Sequence, residues 1–243
     1  MYLSAIVLAA GKSSRFENKV SKPLVYLAGR PVITHSLKNL AKNRQIKDII
    51  VVVNSSNKDK IAWAIKKYRI NKISGIVLGG RRRQDSVFNG LKAIDDKTGL
   101  VLIHDAARPL VGQKTILAVI RQAKRTGAAI TGVPVKSTIK EVHSPQSTVH
   151  SCPMVKKTID RRNLWEAQTP QVFKKEIILR AYDRFNNEDF TDDATLVEKL
   201  GVSVNIIMGA YSNIKITIPE DLAIAEAILK KGKGKGKGKE NHD

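Results

Sequence analysis

Short apolar runs rich in β-branched residues alternate along the chain with longer amphipathic segments. Such runs predict buried strands, and the segments between them have the apolar spacing of helices. The predicted strands cover residues 1–10, 49–53, 73–78, 99–103, 128–135 and 202–208. The predicted helices cover residues 31–42, 61–68, 83–94, 113–125, 174–185 and 193–200, and a last helix starts at Pro219. Strands separated by helices predict an α/β fold, a Rossmann-like three-layer α/β/α arrangement with a mostly parallel sheet.

Residues 136–158 interrupt this alternation. Polar residues and β-formers alternate there, Pro145 and Pro153 break the run, and no helical period is present. We interpret the segment as a protruding β-arm that packs on another subunit, and a disordered loop is the alternative. The arm belongs to a single predicted domain, residues 1–231. After the arm, Trp165 is expected to be a packing anchor rather than a stacking platform.

The first strand ends at the small residues 9–11, where a backbone can approach a ligand closely. The loop that follows carries Lys12, Arg15 and Lys22. Successive N–H groups at the end of a buried strand form an anion-binding concavity, so we expect a nucleoside triphosphate as the ligand. A Walker loop is excluded because Ile6 stands where that loop needs a glycine, and the glycines of a dinucleotide fingerprint are missing. The alternative is an ordinary strand-to-helix turn with solvated cations.

Two further polar clusters follow predicted strands, at residues 79–87 and 104–109. The carboxyl ends of parallel strands meet at one edge of a sheet, so we expect both clusters to lie beside the first loop. The glycine pair of the first cluster admits a flat base against the backbone. Arg83, Asp85 and Ser86 can then bond to the base or to its phosphates.

Local structural roles are the alternatives for these clusters. Residues 85–86 are also typical of a helix cap, and Asp105 with Arg108 is typical of a surface ion pair that stabilises little. Further caps are predicted at residues 54–57 and 191–192.

The formal net charge of +21 is typical of a nucleic-acid-binding protein. Part of this charge lies in a Gly-Lys tail, residues 232–243, which has no apolar residue to bury and is expected to be disordered. Elsewhere the basic residues are scattered along helical faces and are not interleaved with aromatic residues. Basicity that attracts anionic substrates therefore explains the charge better than a dedicated nucleic-acid site.

Cys152 is the only cysteine, so the chain has neither an internal disulfide nor a thiolate metal cage. No apolar run approaches the roughly 18 residues needed to span a bilayer. The opening residues lack the positive leader of a signal sequence. Together these features favour a reducing, cytoplasmic setting.

A series of short motifs occurs in a characteristic order along residues 3–229. In chain order they are Leu8-Ala-Ala-Gly-x-x-x-Arg with Lys22, Gly79-Gly-x-x-Arg-x-Asp-Ser-Val, His104-Asp-Ala-Ala-Arg-Pro, Val133-Pro-Val, Thr138-x-Lys140, Thr158-Ile-Asp-Arg, Gln168-Thr-Pro-Gln and Asn213-Ile-Lys-Ile-Thr. The ordered set resembles the 2-C-methyl-D-erythritol 4-phosphate cytidylyltransferase family. The first motif alone is shared by many sugar nucleotidyltransferases, whereas the whole set is far more specific.

The resemblance implies a homodimeric enzyme with a nucleotidyltransferase fold. In the non-mevalonate isoprenoid pathway such an enzyme joins CTP to methylerythritol phosphate and releases pyrophosphate. The implied catalytic residues are Arg15 and Lys22, which stabilise the transition state, and Arg161 and Lys215, which position the sugar phosphate. The implied nucleotide-binding residues are Ala9, Ala10, Gly11, Ser13, Gly80, Asp85, Ser86 and Ala106. The implied substrate-binding residues are Asp105, Arg108, Thr138 and Thr169, and in the family Thr138, Arg161 and Thr169 come from the partner's arm.

The resemblance also implies Mg²⁺ held mainly by the triphosphate, without a dedicated protein metal site. Asp105 is the only carboxylate considered for it. No general base is expected, because the attacking phosphate is already ionised.

Three positions depart from the family pattern. Ser13 stands where many relatives have glycine, Ser137 stands where an aspartate is usual, and Arg81 adds a cation beside the glycine pair. Two other functions stay open. One is ribitol 5-phosphate cytidylyl transfer, against which residues 160–165 argue, and the other is nucleic-acid binding on the same scaffold.

Overall fold

The computed structural model describes residues 1–11, 21–143, 152–185 and 188–234, with side chains up to residue 232. The strands are β1 (Tyr2–Ala9), β2 (Tyr26–Leu27), β3 (Arg30–Pro31), β4 (Ile46–Val53), β5 (Ile73–Leu78), β6 (Thr98–Asp105), β7 (Ala128–Pro134), β8 (Ile139–Val142), β9 (Val155–Ile159), β10 (Trp165–Lys174) and β11 (Asn205–Met208). The helices are α1 (Val32–Ala41), α2 (Lys58–Lys67), α3 (Arg83–Leu91), α4 (Gln113–Thr126), α5 (Lys175–Phe185), α6 (Asp193–Lys199) and α7 (Glu220–Gly234), and a short 3-10 helix spans Lys22–Leu24.

Seven of these strands form one sheet in the spatial order β11-β7-β10-β6-β1-β4-β5. β1 is parallel to β4 and β6, β5 is parallel to β4, and β11 is parallel to β7. β10 is antiparallel to both of its neighbours, β6 and β7. The predicted mostly parallel sheet is confirmed, and the carboxyl ends of β1, β4, β5 and β6 meet at one edge.

Two apolar cores enclose the sheet from opposite faces. Alternate residues of a strand point to opposite sides, so Val7 belongs to one core and its neighbour Ile6 to the other. Helices α1, α2 and α4 cover the first core, and α3, α5 and α6 cover the second. In α4 the apolar stripe of Ile116, Val119 and Ile120 has helical spacing and is fully buried. The three-layer α/β/α arrangement predicted from the pattern is therefore confirmed.

Strand β10 is absent from the predicted elements, although it lies near the centre of the sheet. Its interior contains Pro170, and proline cannot donate to a sheet ladder, which argues against a central strand. The register between β10 and β7 shifts between Gln168 and Gln171, so Pro170 lies where the pairing is interrupted. Trp165 at the start of the strand is 40% exposed in the single chain, and its role as a packing anchor stays a prediction.

The predicted arm contains an antiparallel hairpin. Its strands β8 and β9 pair Ile139 with Ile159 and Lys140 with Thr158. An extended β excursion is therefore confirmed for the described part of the arm, and residues 144–151 lie outside the described ranges. The packing of this hairpin on another subunit stays a prediction.

The last helix, α7, continues to Gly234, which is three residues into the predicted Gly-Lys tail. The disorder expected for the tail stays a prediction, and residues 235–243 lie outside the described ranges. Within the described ranges, no helix is both long enough and apolar enough to cross a bilayer.

Candidate active site

A cleft of about 650 Å³ opens at the edge where the carboxyl ends of β1, β4, β5 and β6 meet. Among the residues that the structure describes, five cationic side chains line it, Lys22, Arg81, Arg82, Arg83 and Lys215, against the single carboxylate of Asp105. The remaining lining residues are Leu8, Ala9, Ala10, Gly11, Pro23, Asn54, Ser56, Gly80, Ser86, Ala107 and Ile216. The three polar clusters predicted to meet at this edge do meet here, and the excess of positive charge suits a polyanionic ligand.

The ends of the first loop are joined by one side chain. The Asn57 amide nitrogen donates to the Ala9 carbonyl and to the Ser21 hydroxyl, each at 2.9 Å. Asn57 is 1% exposed, so both bonds are shielded from water. Asn57 occupies the N-cap position of α2, but its side chain makes no cap bond to that helix. The cap predicted at residues 54–57 is present only in part: the Asn54 side-chain oxygen accepts from the Asn57 backbone N–H at 2.9 Å, whereas the Asn57 amide nitrogen holds the loop.

The glycine pair after β5 leaves no room for side chains. A Cβ atom on Gly79 would lie 2.5 Å from the Ala10 Cβ and 2.6 Å from the Ser86 Oγ. A Cβ atom on Gly80 would lie 2.3 Å from the Asp85 Cβ. The Gly80 backbone N–H donates to the Ser86 hydroxyl at 3.2 Å. The wall of the cleft at this point is therefore bare backbone, as a flat base would require.

Asp85 forms a helix cap in the structure. Its carboxylate accepts from the Arg82 backbone N–H at 2.9 Å and from the Arg82 guanidinium at 2.8 Å. Hydrogen bonds from the Arg82 side chain lower the pKa of Asp85. The cap interpretation of Asp85 is confirmed, and this side chain does not line the cleft. Contact between Asp85 and a nucleotide stays a prediction; in the structure the Asp85 carboxylate contacts Arg82, which lines the cleft.

Asp105 at the end of β6 is surrounded by cations. One carboxylate oxygen lies 2.7 Å from the Lys215 Nζ and 3.9 Å from the Arg108 Nε, and the other lies 3.7 Å from an Arg83 nitrogen. Burial by itself would raise the pKa of Asp105, but the charges of Arg83 and Lys215 outweigh it and hold the pKa well below its usual range. The Asp105 and Arg108 side chains are only 11% and 12% exposed, so the alternative of a surface ion pair is wrong.

Lys215 reaches Asp105 because the segment that carries it is held at several points. The Ile216 N–H donates to the Ala107 carbonyl at 2.8 Å. The Asn213 side chain donates to the Gln168 side chain and to the Thr169 carbonyl at 3.1 and 3.0 Å. The last two motifs of the sequence therefore pack against each other and place Lys215 in the cleft.

Thr169 lies in the core of its own chain, 5% exposed. Its hydroxyl oxygen accepts from the Asp105 backbone N–H at 3.0 Å and lies 3.0 Å from the His104 Nδ1. The expectation that Thr169 arrives from a partner's arm is therefore wrong, because this residue belongs to β10 and supports Asp105 within one chain. Thr138 and Arg161, by contrast, are exposed and flank the hairpin at its open base, where Ile139 pairs with Ile159, and neither lines the cleft.

The buried His104 ring has a defined tautomer. Its Nε2 lies 3.1 Å from the Arg108 carbonyl oxygen, which only accepts, so Nε2 carries the proton. Its Nδ1 then accepts from the Thr169 hydroxyl. Burial lowers the pKa of His104 to about 4, which keeps the ring neutral at physiological pH. His104 links Thr169 to the backbone beside Arg108.

The remaining predicted residues fall into three groups. Ala106 is fully buried behind the cleft, and its neighbour Ala107 forms the wall instead. Arg108 lines a smaller adjacent cavity of about 230 Å³ together with Glu166, Gln168, Tyr211 and Lys215. Ser13 and Arg15 lie outside the described residues.

Sequence reasoning missed Asn54, Asn57 and Ser56 as parts of the site. Their signal was present, since the segment follows a buried strand at the same sheet edge. The same residues also predict a helix cap, because asparagine and serine are typical of both roles.

Comparisons with known proteins agree on one family. Residues 3–231 match the model of the family described as 2-C-methyl-D-erythritol 4-phosphate cytidylyltransferase (IspD). The chain is 45% identical over 230 residues to the 2-C-methyl-D-erythritol 4-phosphate cytidylyltransferase of Syntrophus aciditrophicus, covering 93% of this chain and 95% of that protein. It resembles the crystal structure of 4-diphosphocytidyl-2C-methyl-D-erythritol synthase from Anaerococcus prevotii with a TM-score of 0.80 and 33% identity, over 94% of this chain and 96% of that one. The crystal structure of the Francisella tularensis 2-C-methyl-D-erythritol 4-phosphate cytidylyltransferase gives a TM-score of 0.76 at 28% identity, over 93% of this chain and 99% of that one.

Proposed function

Because the chain belongs to the 2-C-methyl-D-erythritol 4-phosphate cytidylyltransferase family, we propose that it transfers the cytidylyl group of CTP to 2-C-methyl-D-erythritol 4-phosphate. The products are CDP-methylerythritol and pyrophosphate, within non-mevalonate isoprenoid precursor biosynthesis. The observation that carries the proposal is the cleft itself, where the described lining places five cations and one carboxylate around a glycine-lined wall.

In the proposed reaction an oxygen of the sugar phosphate attacks the α-phosphorus of CTP in line with the departing pyrophosphate. The new P–O bond forms as the bond to pyrophosphate breaks, and the attacking oxygen needs no base because it is already ionised. Negative charge grows on the non-bridging oxygens and on the leaving group. Fixed cations at these positions lower the barrier because they stabilise the transition state more than the ground state.

The two cavities that share Lys215 suggest how the substrates are placed. The larger cleft contains the glycine pair and Lys22, which suits the nucleotide and its triphosphate. The smaller cavity contains Arg108 and Lys215, which suits the phosphate of the acceptor. Lys215 then lies between the two reacting phosphates, with Asp105 holding its amine at 2.7 Å. Arg15 is assigned with Lys22 to the transition state through the family motif.

The chain's residues fit Mg²⁺ only as an ion carried by the triphosphate. Asp105 is the one carboxylate among the described residues that line the cleft, and its oxygens already neighbour Lys215 and Arg83. In the described part of the chain, no cluster of three His, Cys, Asp or Glu side chains is arranged to hold a metal. When bound, Mg²⁺ would neutralise phosphate charge while keeping several waters, and Asp105 would be the described cleft carboxylate able to hold it.

The proposed assembly is a homodimer of single-domain chains in the cytoplasm. The hairpin of β8 and β9 exposes the apolar residues Ile139, Val142 and Val155, which supports a role in packing on a partner. Thr138 and Arg161 would reach the partner's site on this hairpin.

A coupled pyrophosphate assay tests the proposed function. Release should require CTP, methylerythritol phosphate and Mg²⁺ together, and UTP and ATP should replace CTP poorly. Ribitol 5-phosphate at equal concentration tests the nearest alternative enzyme. Preference for UTP, or an inert methylerythritol phosphate, would overturn the proposal. Tight RNA or DNA binding with a steep salt dependence and no turnover would favour the nucleic-acid alternative.

A further inference from the structure

Asp193 is a fully buried carboxylate at the start of α6. One of its oxygens accepts from the Tyr182 hydroxyl at 2.6 Å, and the other accepts from Arg83 at 2.8 Å. The neighbouring Asp192 caps α6 through the Thr195 backbone N–H at 3.1 Å, as predicted. Asp193 is therefore not needed as the cap, and its charge is directed at Arg83.

Arg83 lies between two carboxylates at unequal distances. The same guanidinium nitrogen is 2.8 Å from Asp193 and 3.7 Å from Asp105. Asp105 in turn lies 2.7 Å from the Lys215 amine. The four charges form an alternating series from the buried helix to the cleft, and each inner charge lies between two neighbours of opposite sign, with Arg108 a third and more distant cation beside Asp105.

We propose that Asp193 is a positioning residue that holds Arg83 back from Asp105, so that Asp105 remains available to orient Lys215. This inference rests on the proposed function for its consequence, since Lys215 lies between the two proposed substrate sites. Its geometry does not depend on any substrate.

The reason lies in the cost of leaving a partly buried charge without its partner. The Arg83 side chain is 26% exposed, so its guanidinium is only partly hydrated, and once it loses its closer carboxylate it moves toward the next one. Without the charge of Asp193, Arg83 pairs with Asp105. Lys215, whose side chain is 45% exposed, is the partner that is released to water.

Tyr182 supports the same arrangement. Burial and the charge of Asp193 raise the pKa of Tyr182, so its hydroxyl keeps its proton and donates to Asp193. This bond leaves the second carboxylate oxygen of Asp193 to accept from Arg83.

In the test, the full-length protein is treated with acetic anhydride in the absence of substrates. Mass spectrometry then measures how fast Lys215 is modified. We expect Asp193→Asn to raise the modification rate of Lys215 about three- to tenfold, in the range of coupling between neighbouring charges. The rate should return toward that of the unsubstituted protein in Arg83→Gln/Asp193→Asn, which has no guanidinium to move. Where the asparagine variant does not fold, Asp193→Ser leaves room for a water and carries the same expectation.

Asp48→Asn is the matched control. Asp48 is also a buried carboxylate, 7% exposed, and it accepts from the Ser4 and Ser74 hydroxyls at 2.6 and 3.0 Å near the opposite, amino end of β4. Its substitution should leave the modification rate of Lys215 unchanged. An unchanged modification rate of Lys215 in Asp193→Asn would overturn the inference. An equal rise of this rate in Asp48→Asn or in the double variant would also overturn it, because either result indicates general loosening of the structure.

Kinetics separate this inference from the proposed function. Asp193→Asn should lower kcat/KM for the sugar phosphate on the order of tenfold while the Kd for CTP changes less than about twofold. If the unsubstituted protein has no turnover, the proposed function is overturned. The modification rate of Lys215 still tests the role of Asp193 in that case. Equal losses in CTP binding and in turnover would overturn the positioning role.

Discussion

The backbone N–H of Asp105 donates to the hydroxyl oxygen of Thr169 at 3.0 Å, joining the end of β6 to the interior of β10. Asp105 orients Lys215, so this bond connects the central antiparallel strand to the chemistry of the cleft. Both residues are less than one tenth exposed, and water cannot easily replace the bond.

Thr169→Val tests this connection, because valine has the same shape without the hydroxyl. The substitution leaves the Asp105 N–H and the His104 Nδ1 unpaired, so the free energy of unfolding should fall by about 1 to 3 kcal/mol. The kcat/KM should fall as well, since Asp105 loses its support. Urea unfolding and the pyrophosphate assay measure the two effects. Thr131→Val is the control, because Thr131 is buried and donates only to the Pro170 carbonyl. Full activity in a destabilised Thr169→Val would contradict the connection.

Asn57→Ala is expected to loosen the first loop at both ends. The variant loses the bonds from the amide to Ala9 and Ser21, so KM for CTP should rise several-fold more than kcat falls. Asn89→Ala removes a comparable amide bond, to the Leu78 carbonyl outside the cleft, and should leave KM unchanged. Equal KM values for the two variants would show that Asn57 does not support the nucleotide site.

Lys22→Ala and Arg15→Ala should each slow turnover on the order of a hundred- to a thousandfold, about 3 to 4 kcal/mol of barrier, because each removes a transition-state cation. Titration calorimetry should still detect CTP binding in both variants. Lys58→Ala removes a positive charge from the exposed start of α2 and should change kcat little. Unchanged turnover in both loop variants would refute the assigned roles.

The stability of the protein should depend on His104 below neutral pH. The pKa of this buried ring is lowered to about 4, whereas an unfolded histidine titrates near about 6.5. As the pH falls, the unfolded state therefore binds the proton first. The contribution of His104 to the free energy of unfolding is fully present above about pH 6.5 and decreases as the pH falls toward 4. The loss amounts to about 3 kcal/mol.

Urea unfolding at several pH values between 7 and 4 checks this dependence. His104→Gln keeps one donor and one acceptor without titrating, so it should flatten the profile in this range. His143→Gln, an exposed position on the arm, should leave the profile unchanged. Identical profiles for the protein with and without His104 would contradict the prediction. At lower pH the paired carboxylate of Asp105 adds a further loss as it is protonated, because its pKa is also lowered.

Mixing two inactive variants tests the exchange of arms. If Arg161 serves the partner's site and Lys215 its own, a heterodimer of Arg161→Ala with Lys215→Ala contains one complete site. Random exchange of subunits should then restore about a quarter of normal activity, because half of the dimers are mixed and each has one working site. The fraction of heterodimers can be measured by native mass spectrometry. Heterodimers without activity would show that Arg161 does not act across the interface.

The amino-acid sequence alone determined the layers of this protein and the edge at which its site lies. Apolar runs such as 49–53 and amphipathic segments such as 113–125 are local patterns, and their alternation requires a mostly parallel sheet whose carboxyl ends converge. The motifs of the first loop and of the glycine pair could be assigned for the same reason. Each is contiguous in the chain and follows a recognisable strand.

Only the tertiary structure decided which residues meet across long separations. The antiparallel insertion of β10 brings Thr169 to Asp105, and Asp193 to Arg83 spans 110 positions of the chain. Asparagine and aspartate serve equally as helix caps and as partners for distant groups, so Asn57 and Asp193 give no local sign of the second role. Their roles depend on burial and on the distance to a particular partner, and packing sets both.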